Sequence, residues 1–74
     1  MLVDAEKIAS NLRKLRLEKK ATQAEVAKIV GVSISALTNY ECGIRVPRDE
    51  IKIKLANYYG VTVESIFFSI NDTN

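Results

Sequence analysis

Seventy-four residues with 47% hydrophobic and 27% charged side chains predict a single soluble globular domain, too small for two and too apolar for a disordered chain. No apolar run approaches the roughly 18–20 residues of a membrane span. The opening MLVDAEKIAS has neither the basic nor the apolar region of a secretory leader, and one cysteine cannot form an internal disulfide, so a cytoplasmic protein without membrane contact is expected. The net charge of +2 is spread unevenly. Residues 1–48 hold nine Lys/Arg against five Asp/Glu, and residues 49–74 hold two against four. A polyanion would therefore dock on the first two-thirds, although an exposed lysine-rich surface explains the charge equally well.

The apolar spacing is helical almost throughout. Ile8, Leu12 and Leu15 recur at intervals of four and three, predicting the inner face of a first helix from about Asp4 to Lys19. Asp4 suits its start, and Lys19 and Lys20 suit the negative end of its dipole. Thr22-Gln23-Ala24-Glu25 has the form of a capping box. Ala24, Val26, Ala27 and Val30 give the second helix an apolar face, and Gly31 ends it. Ser33 caps a third helix, read as Ser33 to Tyr40, with Ala36, Leu37 and Tyr40 turned inward and Gly43 beyond its end. Pro47 blocks helix through the next loop. Asp49 and Glu50 favour the start of a fourth helix with Ile51, Leu55, Ala56 and Tyr59 inside and Gly60 at its close. Thr62 caps a short fifth helix carrying Val63, Ile66 and Phe67. Residues 1–70 make the domain, and the polar tail 71–74 is expected to fray. No strand is predicted, since Val61-Thr62-Val63 alternates but is too short.

The stretch TQAEVAKIVGVSISALTNYE, residues 22–41, sets two short helices around a tight turn at Gly31-Val32-Ser33. Small Ala27 allows close approach, while Val32 and Leu37 seal the corner, which is the physical content of a helix-turn-helix. Further fragments accompany it: Leu12-Arg13-x-Leu15-Arg16, Asn39-Tyr40-Glu41-x-Gly43, Arg45-x-Pro47 and Leu55-Ala56-x-Tyr58-Tyr59-Gly60-Val61. In this order and spacing, from about Ile8 to Phe68, the chain resembles the lambda-repressor-like helix-turn-helix regulators of the phage repressor and Cro type. The resemblance implies an all-α, compact five-helix domain that binds double-stranded DNA with its third helix in the major groove.

It also implies roles for particular residues. Gln23 looks like the family's phosphate-binding glutamine, and a helix amino end favours an anion. Ser33, Ile34, Ser35, Thr38 and Asn39 occupy the base-contacting face. Asn39 can bond adenine through two hydrogen bonds, and the hydroxyls suit several bases. Ile34 either packs on a thymine methyl or folds back onto the protein. Arg45 and Arg48 correspond to the backbone-contacting loop, where the arginine fork matches phosphate. Lys28 and Arg13 are weaker phosphate candidates, because exposed cations on helices commonly serve solubility. Tyr40 is a core residue by spacing whose hydroxyl can also reach a phosphate. Arg16 and Glu41 are paired by the resemblance as a partly buried, structural ion pair.

Two departures stand out. Many relatives have Gly-Leu before Thr-Gln, whereas this chain has Lys20-Ala21, so the corner must turn without glycine. Cys42 replaces a commoner polar residue and reads as a tolerated small side chain.

One recognition helix reads few base pairs, so a homodimer on a two-fold symmetric operator is expected. Val63, Phe68 and Ile70 form its predicted contact patch, since a short helix cannot bury all the apolar residues at this end. An enzyme is disfavoured: there is no histidine, glycine-rich phosphate loop or metal-ligand cluster, and no cofactor is implied. The chain's size predicts control by concentration, proteolysis or a protein partner rather than by a bound metabolite. The alternative reading is an antitoxin or anti-repressor that uses the same fold to bind protein.

Overall fold

The computed structural model describes residues 4–68; Ile70 of the predicted contact patch and the tail 71–74 lie outside them. Five helices follow in order: α1 (Ala5–Glu18), α2 (Gln23–Val30), α3 (Ile34–Cys42), α4 (Asp49–Tyr59) and α5 (Val63–Phe67). Among the described residues there is no strand.

Local chemistry sets nearly every boundary. Asp4 accepts from the Glu6 and Lys7 amides at 3.1 Å each. Thr22 and Glu25 form the reciprocal box, with the Glu25 amide donating to Thr22 Oγ1 at 3.1 Å and the Thr22 amide to Glu25 Oε1 at 2.8 Å. Ser33 Oγ and Thr62 Oγ1 cap α3 and α5 by accepting from the Ala36 and Ser65 amides. Each such cap contributes about 1 kcal/mol. By contrast α4 starts from Arg48 with no side-chain cap; Asp49 and Glu50 supply negative charge to its first turn, where Asp49 pairs with Lys52 at 3.5 Å. The third helix runs through Cys42, two residues past the predicted Tyr40, because the chain stays helical until Gly43 at φ 79°. A Cβ at Gly43 would also stand 3.5 Å from the Ala5 carbonyl oxygen, so α3 ends beneath the first turn of α1. The corner between α1 and α2 turns without glycine by placing Lys20 at φ 58°, the one non-glycine positive φ among the described residues.

The inward residues form one continuous core of Ile8, Leu12, Val26, Ala27, Val30, Leu37, Tyr40, Ile51, Leu55, Ala56, Ile66 and Phe67. Truncating one of its fully buried leucines (Leu12, Leu37 or Leu55) should cost about 2–5 kcal/mol. Ala24 is not part of this face. Val26, Ala27 and Val30 point inward, and the 100° step between successive residues carries Ala24 off their side into solvent. Ala9, which the spacing did not single out, is buried instead. Helix α3 packs on α1 and α2, whereas α4 packs on α2 and α5. A side-chain bond from Asn11 Nδ2 to the Ile66 carbonyl oxygen, 2.9 Å, ties α1 to α5.

Candidate nucleic-acid interface

The amino-terminal half of α3 stands free of the core. Ser33, Ile34 and Ser35 are exposed, and Ile34 remains 52% accessible, so it does not fold back onto the protein. Thr38 and Asn39 are half-buried one turn further along. The carbonyl of Asn39 accepts from the Ile44 and Arg45 amides at 3.0 and 3.3 Å. The loop after α3 is thereby folded against the helix, and Arg45 starts from a fixed place beside it.

Arg45 and Arg48 are exposed and line a cleft of about 360 Å³ with Tyr40, Glu50 and Lys54. Tyr40 is a core residue, 5% accessible, at the wall of that cleft. Lys54 was not anticipated. Its Nζ lies 3.9 Å from where a Cβ on Gly31 would be, which places an ammonium over the carboxyl end of α2. A cation there complements the helix dipole and adds a third positive charge to the cleft. Lys28 is exposed in the last turn of α2.

Behind α3 lies a polar junction that the spacing alone could not reveal. Glu41, 2% accessible, accepts from Arg16 Nε at 3.1 Å (Oε1) and 2.9 Å (Oε2). Arg16 Nη1 also donates to the Ala21 carbonyl at 3.1 Å, so one guanidinium fastens the corner after α1 and the end of α3. The hydrogen bond to Glu41 raises the Arg16 pKa above its ordinary value, against the opposing effect of burial. Gln23 Nε2 donates to Glu41 Oε1 at 3.0 Å, and Thr38 Oγ1 donates to Gln23 Oε1 at 3.2 Å. Arg13 Nη1 donates to the Glu41 carbonyl oxygen and so satisfies a backbone acceptor at the end of α3. That bond gives Arg13 a structural role.

At the opposite end, Val63 and Phe68 are half-buried. With Asp49, Lys52 and exposed Ile53 they line a second cleft, also about 360 Å³. Lys52 Nζ sits 5.7 and 5.0 Å from the Phe67 and Phe68 ring centres. Cys42 is free and exposed.

A capped, exposed helix held at a glycine turn across a second short helix defines a helix-turn-helix. A model of the helix-turn-helix family matches residues 12–66, and the chain belongs to that family, in its lambda-repressor-like branch. The cryptic phage CTXphi transcriptional repressor RstR of Vibrio cholerae is 38% identical over 66 residues, covering 89% of this chain and 59% of that protein. The HTH-type transcriptional regulator YqaE of Bacillus subtilis is 36% identical over 56 residues, covering 76% and 48%. The chain thus spans roughly half to three-fifths of the length of these relatives. A transcriptional regulator from Listeria innocua superimposes with a TM-score of 0.77 at 25% identity, over 81% of this chain and 56% of that one. The clp gene regulator ClgR from C. glutamicum shares the fold, with a TM-score of 0.76 at 24% identity over 89% and 86%. The family and these relatives are transcriptional regulators, not enzymes.

Proposed function

We propose that this chain is a sequence-specific double-stranded DNA-binding repressor that places α3 in the major groove and acts as a homodimer on a two-fold symmetric operator. The observation that carries this reading is the exposed Ser33-Ile34-Ser35 edge of α3, flanked by the Arg45, Arg48 and Lys54 cleft. A large apolar side chain held in water gains nothing until it meets a partner, and a thymine methyl in the major groove is a suitable one for Ile34. Ser33, Ser35, Thr38 and Asn39 supply the hydrogen-bonding groups. Arg45, Arg48 and Lys28 supply phosphate contacts, with Lys54 and the Tyr40 hydroxyl at the edge of the same surface. Gln23 contributes too: Glu41 uses one N–H of its amide, which leaves the second for a phosphate.

The homodimer is supported by the cleft between α4 and α5, where Val63, Phe68 and Ile53 present apolar surface. An isologous contact there would set two copies of α3 against half-sites about 34 Å apart. The discriminating experiment is selection of bound duplexes from a random library. A two-fold symmetric consensus with half-sites about one helical turn apart is expected. Recovery of sequences no different from the input pool would reject the reading.

A further inference from the structure

The polar junction behind α3 has a direction, and it runs from the core to the DNA-facing surface. Glu41 is paired with Arg16 through Nε at 2.9 Å, and a carboxylate so paired has lone pairs but no proton to give. Its neighbour Gln23 must therefore turn its amide nitrogen toward Glu41 Oε1, the 3.0 Å contact. The reversed amide would set a carbonyl oxygen against a carboxylate oxygen. With the nitrogen fixed inward, the Gln23 oxygen faces Thr38 Oγ1 at 3.2 Å. An amide oxygen only accepts, so the hydroxyl of Thr38 gives its single proton to Gln23. Lone pairs are all that this hydroxyl has left for another partner. Thr38 is half-buried rather than sealed, and it lies four residues after exposed Ile34, on the same side of α3.

We infer that Gln23, held by the Arg16–Glu41 pair, acts as a positioning residue that makes Thr38 an acceptor toward the major groove, so that this position reads a base through its exocyclic amine. In the major groove adenine offers N6 and cytosine N4 as donors, whereas guanine N7 and O6 and thymine O4 are acceptors. A threonine hydroxyl free to rotate would serve either kind. One whose proton is committed distinguishes them. The specificity of a half-buried residue is then set by a carboxylate two side chains away. This inference rests on the DNA-binding reading above and sharpens it at one base position.

The test is duplex selection with the full chain and three variants. For the unmodified protein, one position in each half-site should favour adenine or cytosine over guanine and thymine by about fivefold. Thr38→Val keeps the shape, removes the hydroxyl and should flatten that position alone. Thr38→Ser keeps the hydroxyl and should keep the preference. Gln23→Met removes the acceptor that takes the Thr38 proton, so the preference at that position should spread to guanine and thymine, while the lost phosphate contact weakens binding to all sequences alike. Should Gln23→Met fail to fold, the two Thr38 variants, which leave the Glu41 bonds intact, decide the matter. A site whose every position is unchanged in Thr38→Val, or a hydroxyl-dependent preference for guanine or thymine, overturns the inference and leaves DNA binding standing. No enrichment by the unmodified protein overturns the DNA-binding reading itself. In the free protein, nuclear Overhauser contacts should place the Gln23 amide protons beside the Glu41 and Arg16 side chains. Their absence overturns the inference without reference to DNA.

Discussion

The two ends of this small domain are fastened by different physics. Around the end of α3, directional bonds dominate: Arg16 to Glu41, Gln23 to Glu41, Thr38 to Gln23 and Arg13 to the Glu41 carbonyl. Around α5, apolar packing and a lysine laid over two phenylalanine rings accompany the side-chain bond from Asn11 that joins α5 to α1. Hydrogen bonds fix angle as well as distance, and their loss leaves a buried group unsatisfied. Apolar contacts fix volume and tolerate small shifts. Helix α3 is therefore set firmly against α1 and α2, while the α4–α5 end keeps the more adaptable surface that a second subunit could mould.

The hardest blow to the directional end is Arg16→Ala. It strands the sealed Glu41 carboxylate and should lower unfolding free energy by about 3 kcal/mol, read from the urea midpoint. A loss below about 1 kcal/mol would mean the pair behaves as a surface bridge. At the other end, Phe68→Ser should weaken self-association by on the order of 2 kcal/mol if the α4–α5 cleft is the subunit contact. Sedimentation equilibrium reads this directly, and an unchanged dimer would move the contact elsewhere. Arg45→Ala should weaken binding to all duplexes alike and reduce the log–log salt slope by about one. A loss confined to some sequences would make Arg45 a base reader.

The smallest effect belongs to Tyr59, whose hydroxyl is buried without a hydrogen-bond partner among the described residues. Burial pushes its pKa above the ordinary 10.0, and nearby Glu41 adds to the shift. The unfolded chain then loses this proton first. Stability from this group is intact below about pH 10 and falls as the pH rises beyond it. Tyr59→Phe should leave neutral-pH stability unchanged or raise it by up to about 1 kcal/mol, and should soften the alkaline transition followed by circular dichroism.

The helices were legible because their signals are local. Thr22 with Glu25, Ser33 with Ala36 and glycines 31, 43 and 60 act over three or four residues, so reading the chain finds them. The Arg16–Glu41 pair joins residues 25 apart and was reached through family resemblance, since no spacing rule links them. The Gln23 and Thr38 partnership was not visible at all. The family resemblance placed each toward DNA, but the partner a long polar side chain selects depends on how three helices meet. Ala24 failed in the other direction: a small apolar residue carries too little hydrophobicity to reveal its face. Lys54 beside Gly31 was missed because its position in α4 says nothing of the α2 end it approaches.

Lys20 carries one more consequence, for the tuning of the fold. A side chain at φ 58° sits in a conformation that is disfavoured by about 1–2 kcal/mol for residues bearing a Cβ. Much of that strain should be released by Lys20→Gly, offset in part by the greater freedom of glycine in the unfolded chain. A net gain of about 0.5–1 kcal/mol is expected, visible as a higher melting temperature. The corner is thus an unused reserve of stability, remote from the exposed edge of α3, on which an engineer or natural selection could draw to offset destabilising changes at that edge.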